Sequence, residues 1–182
     1  MSDPTADFKS IPILLAGEVL TKIDRTLDMS TFSFGPDTPW LNAFGVKETR
    51  ARFAIHAQCP FAIWRGKDII LEDGDMRCEL TSVAVDKLRL TGWDWERDEP
   101  PTVFDAKAYS LHRILEAKCL TVQDVAVTQE GDLSVSLSED ILIQILPPKP
   151  AKREAWRFFE VHGNQIVFPG KVDKGDTISN LQ

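Results

Sequence analysis

The segment IHAQCPFAIW, residues 55–64, sets His56 three positions ahead of Cys59, with Pro60, Phe61 and Trp64 behind them. A cysteine nucleophile needs a base within hydrogen-bond reach and, usually, a third group to orient that base. In a strand over residues 52–59, Phe53, Ile55, Ala57 and Cys59 face one way, while Arg52, Ala54, His56 and Gln58 face the other. The strand itself therefore separates the thiol from the imidazole. Apolar company also raises a thiol pKa, which leaves Cys59 as an inert core residue.

The remaining candidates for chemistry are sparse. His112 flanks the apolar stripe of a helix and His162 precedes a Gly-Asn turn, so both read as boundary residues. No HExxH pair, GxSxG elbow or phosphate-binding glycine loop occurs, and the three cysteines lack CxxC spacing. Neither a metal nor a cofactor is expected, and the cysteines read as reduced thiols.

Charge is more informative. The 182 residues carry a net charge of -7, and residues 66–101 hold ten acids against five bases. Direct nucleic-acid binding is disfavoured, because phosphate neutralisation needs clustered Lys and Arg. Within WDWERDEPP, Trp93 and Trp95 fall on one side of an extended segment, with Asp94 and Glu96 on the other. The tryptophans can tuck into a core, or they can stand beside Asp94, Glu96, Asp98 and Glu99 as anchors in a patch for a basic partner. Glu72, Asp73 and Asp75 of EDGD read as a hairpin turn and as a second acidic edge. A rival site is a polar pocket made by Arg25, Asp28, His56, Gln58 and Arg157, although an Arg-Asp network serving structure alone accounts for the same charges.

These residues need a frame. Residues 15–34 alternate with period 2 and read as two strands, with a helix over 14–27 as the competing reading. FGPDTPWLNAFG, residues 34–45, reads as a loop because of its two prolines and two glycines. Residues 49–75 read as an antiparallel meander broken at Pro60 and turning at Gly66-Lys67. FDAKAYSLHRILEAK is the clearest helix, at about 105–117, with Asp105 as its cap and Ala108, Leu111 and Leu115 on one face. Strands are again expected from residue 120 to 168. The fold expected is α+β, mainly an antiparallel β-sheet or half-barrel with that one clear helix. It forms a single domain over 10–172 with flexible ends at 1–9 and 173–182. The apolar run Ile11 to Gly17 is too short to span a membrane or serve as a secretion signal, which favours the cytoplasm.

RTLDMSTFSFG, FAIHAQCPFAIWRGKDIILEDGD, WDWE and LSVSLSEDILIQILPPKPAKREAWRFF followed by IVFPG together resemble a family of uncharacterised bacterial proteins. That family carries an R-x-x-D-M segment, an L-H-x-Q-C-(P/A)-W-R-like strand and a C-terminal E-x-W-R-x-F segment. Here Phe61-Ala62-Ile63 intervenes between Pro60 and Trp64-Arg65, and Pro147-Pro148-Lys149 replaces the expected turn. The resemblance supplies no activity. Small acidic proteins of this class are often immunity proteins, so the functional expectation is a non-enzymatic module that neutralises a basic toxin, such as a nuclease, through the acidic and aromatic surface. The alternative expectation is a small-molecule binder or enzyme using the His56 pocket.

Overall fold

Among the described residues, alternation of apolar and polar side chains resolves into ten strands in two five-stranded antiparallel sheets, in an α+β arrangement that is not closed into a barrel. The computed structural model describes residues 8–42, 44–91 and 100–169. Helix α1 (Ser10–Leu15) leads into β1 (Leu20–Thr26), β2 (Met29–Leu41) and β3 (Lys47–Ala57). The chain continues through β4 (Phe61–Arg65), β5 (Asp68–Glu72), a 3-10 turn (Asp73–Arg77), α2 (Ser82–Arg89) and α3 (Val103–Ala117). It ends with β6 (Val122–Val127), β7 (Leu133–Leu137), β8 (Ile141–Ile145), β9 (Trp156–Glu160) and β10 (Gln165–Phe168).

The first sheet runs β1-β2-β3-β9-β10 and the second β5-β4-β8-β7-β6. Phe32, Phe34, Phe53, Ile55, Trp156 and Phe158 from the first sheet share one core with Phe61, Ile63, Val135 and Ile143 from the second. Period-2 patterning predicts these inward faces, since every second residue of a half-buried strand must leave water. Phe8 adds to the core by packing its ring on Trp156 and Phe168, with centroids 5.6 and 6.0 Å away. Residues 1–7 and 170–182 lie outside the described part.

Two strands do occupy the segment after residue 19, and the helix over 14–27 is absent. Other expectations need correction. β2 does not stop at Phe34 but continues through Pro36 and Pro39 to Leu41, pairing with β3 after a bulge between Phe34 and Asp37. β1 pairs with β2 only as far as Phe34. Beyond it, one side of β2 has no strand neighbour among the described residues, and proline is tolerated on such an edge because no ladder donor is required there. The expected meander also divides. Gln58-Cys59-Pro60 carries the chain from the first sheet to the second, so β3 and β4 never pair. EDGD is not a hairpin turn: Glu72 closes β5 and caps the 3-10 turn, whose Asp75 returns a bond to the Glu72 backbone.

Helix α3 starts two residues before the predicted point. Thr102 is its N-cap and Asp105 is the third helical residue, the two bonding reciprocally in a capping box. The helix packs on β1, β5 and the 3-10 turn, and so closes one open side between the sheets. Among the described residues no helix is long and apolar enough to cross a membrane.

Candidate functional site

Helix α3 is the element that organises the polar groups. Asp105, Tyr109, His112 and Glu116 are spaced by four, three and four residues, which places them on one stripe of the helix. Asp105 is buried and receives the Arg25 guanidinium in a two-pronged bond, with Nε at 3.0 Å and Nη2 at 2.8 Å. It also accepts from the Thr102 backbone N–H at 2.7 Å and hydroxyl at 3.0 Å. Arg25 is only 3% exposed, and it donates in addition to the Pro100 carbonyl at 3.3 Å and the Leu27 carbonyl at 3.4 Å. One turn further along, the Tyr109 hydroxyl donates to the Thr91 carbonyl at 3.3 Å.

These bonds concern the acidic and tryptophan-bearing segment directly. Thr91 and Pro100 are the described residues that bracket 92–99, and both are held by this helix, Thr91 by Tyr109 and Pro100 through Arg25 on Asp105. Trp93, Asp94, Trp95, Glu96, Asp98 and Glu99 themselves lie outside the described residues.

The second acidic edge is not one open surface. Asp75 is buried, and both of its carboxylate oxygens accept from Lys107, at 2.8 and 2.7 Å, while one of them also accepts the Glu72 backbone N–H at 2.9 Å. Asp73 is paired with Arg77. Charges compensated at this range have little field left to offer a distant cation, so Asp73 and Asp75 tie the 3-10 turn together and to α3. Glu72 remains exposed as the cap.

The pocket grouping is split as well. In β1, Arg25 pairs with Ser30 and points into the interior, while Asp24 pairs with Thr31 and points outward. Thr31 pairs with His56, and His56 with Arg157. One outward row therefore reads Asp24, Thr31, His56, Arg157, and Arg25 belongs to the opposite face. Asp28 is exposed in the β1–β2 turn. Gln58 is exposed past the end of β3, its amide 3.8 Å from Met29 Sδ. Arg157 is held by Glu154 at 3.0 and 2.9 Å and by Gln165 at 3.0 Å. The His56 ring is largely buried beside Arg157 and Arg50. Burial first, and those two cations next, hold its pKa below the ordinary histidine value.

His112 is more than a boundary residue. Its Nε2 accepts the Ile23 backbone N–H at 3.0 Å and so caps the edge of β1. Cys59 lies past the end of β3, in the crossing between sheets, so strand parity does not place it; its thiol is nevertheless partly buried against the core and is pushed up to about 12, chiefly by burial and then by Asp73. Cys78 and Cys119 are free and exposed. Among the described residues no group of His, Cys, Asp and Glu is arranged to hold a metal ion. The sequence singles out neither Asp24, Thr31 nor Tyr109, and marks Asp105 as a helix cap but not as the partner of Arg25. The 105/109/112/116 spacing was available to flag Tyr109, whereas the outward row needs the pairing register.

No protein-family model, curated protein or solved structure matches the chain.

Proposed function

We propose that the chain is a non-enzymatic, cytoplasmic protein-binding module, in its most concrete form an immunity protein whose acidic and tryptophan-bearing segment covers a basic surface of a toxin. The observation that carries this reading is the attachment of both flanks of that segment, Thr91 and Pro100, to α3. Residues 92–99 contain four acids and one arginine, and fixed flanks lower the ordering cost when such a segment meets a partner. Aromatic side chains would supply contact area there, while the acids steer encounter with a cationic surface. A toxin acting on nucleic acid is basic where phosphate binds, so the same charges would compete with its substrate.

The test is co-expression with a basic protein encoded beside it. Co-purification should be lost when Asp94, Glu96, Asp98 and Glu99 are changed together to Lys, in a variant that keeps the thermal unfolding midpoint. Retained co-purification in that variant would overturn the patch. Loss of binding on His56→Ala with the acids intact would shift the assignment to the sheet face that carries His56.

A further inference from the structure

The outward face of the first sheet carries two polar rows. Beside Asp24, Thr31, His56 and Arg157, the next row reads Lys22, Ser33, Ala54 and Phe159. Both rows contribute to a groove of about 910 Å³, walled by α3 at His112, Leu115 and Glu116 and ended by the β2–β3 extension at Asp37 and Arg50. That size lies within the range of ligand clefts, roughly 300–1,000 Å³. We propose that this groove is a binding site for a neutral, polyhydroxylated ligand, a short saccharide.

The chemistry of the lining excludes the other classes in turn. An anion needs an uncommitted cation, yet Lys22 is paired with Asp24 at 2.8 Å and Arg50 with Glu48 at 3.3 Å. Three carboxylates, Asp24, Asp37 and Glu116, share the lining with those two cations. Burial keeps both His56 and His112 toward the neutral form, so the imidazoles add no compensating positive charge. An apolar ligand would strand the hydroxyls of Thr26, Thr31, Ser33 and Thr49, all residues that line the groove, and each unpaired polar group costs about 1–3 kcal/mol. A peptide recognised by strand addition requires a free sheet edge. The edge of β1 beside the groove is closed by α3, with the Ile23 N–H already given to His112, and the β2 edge left open beyond Phe34 is interrupted by Pro36 and Pro39, which have no N–H to pair with an added strand.

A polyol answers what remains. Each sugar hydroxyl donates and accepts, as do the threonine and serine hydroxyls and a neutral imidazole. The C–H face of the ring has apolar partners in Phe159 and Leu115. Phe159 is backed by Trp40 in an edge-on contact at 5.6 Å, which gives the platform a second ring of support. The shape is a sheet face and not a closed cavity, which suits an extended ligand lying across the strands.

The experiment is a two-dimensional NMR titration of the full chain with maltose, cellobiose and N,N'-diacetylchitobiose, and separately with inorganic phosphate. Saturable shifts at the amides of Thr31, Ser33, Ala54 and His56 are expected with at least one sugar and not with phosphate. Thr31→Val should weaken that binding roughly tenfold, in line with the loss of one ligand hydrogen bond. His56→Ala gives an independent check should the first variant fail to fold. Absence of groove shifts with all three sugars overturns the proposal, as does a phosphate response or binding indifferent to both substitutions. The variant with Lys at 94, 96, 98 and 99 should titrate with sugar as the parent does, which separates this site from the protein-binding reading.

Discussion

Removing either partner of the Arg25–Asp105 pair leaves a charge stranded in the interior. Arg25→Ala or Asp105→Ala is expected to lower the unfolding free energy by about 3–5 kcal/mol, read from urea denaturation. Asp105 should be the more damaging site to truncate, because the Thr102 cap is lost with it. A gentler effect is expected at His112, which accepts the Ile23 N–H only while Nε2 carries no proton. Burial holds its pKa below 6.5 in the folded chain. The unfolded state therefore binds more protons in that window, and stability rises with pH. Full stability should be present above the unfolded value and decline as pH falls below it. Urea midpoints measured from pH 7.5 to 5.5 should drop in the parent and drop less in His112→Gln. At Cys59, burial predicts slow reaction with a thiol reagent at pH 8 while Cys78 and Cys119 react freely. The outward face of His56 was legible in the sequence, since parity within a strand needs no partner, whereas the burial of Cys59 follows from the apolar crossing between the sheets and not from parity. The face of Arg25 was not. Parity in β1 acquires a meaning relative to β3 only once register is set, and a slip of one residue would exchange Arg25 for Asp24.

Elements were legible wherever local pattern decided them. The stripe of α3, the alternation of β7 and β8 and the hairpin at Gly66 all rest on contacts within a few residues. β2 was misread because Pro36 and Pro39 are loop signals in a local window, and the edge that tolerates them is created by where β1 ends. Local signals are similarly silent about Pro60, where a break in one sheet is the crossing to another. The turn between β6 and β7 offers a sharp test of packing at this scale. Gly131 has φ +86, and a Cβ there would lie 2.2 Å from the Phe168 ring, while its carbonyl accepts the Trp156 indole N–H at 2.6 Å. Gly131→Ala should cost about 2–3 kcal/mol, combining the left-handed backbone with overpacking. Gly17→Ala, at φ +77 with open space around it, should cost about 1 kcal/mol by the backbone effect alone.

One continuous core joins both sheets to α1 and α3, so the molecule should unfold as a unit. Tryptophan fluorescence and far-UV circular dichroism are expected to give coincident urea transitions; separated midpoints would divide the chain into two units. The extension of β2 and β3 past the end of β1 behaves differently. Residues 37–41 and 47–51 pair with each other, and β1 and β9 flank these strands only at 29–34 and 53–57. A two-stranded ribbon has little stability of its own, and this one is moored by Trp40 on Phe159 and His162 and by the His162 ring nitrogen at the Pro39 carbonyl. A single strand thus carries two classes of amide. In deuterium exchange those near the tip should be replaced through brief local opening, while their neighbours a few residues along the same strand wait for global unfolding.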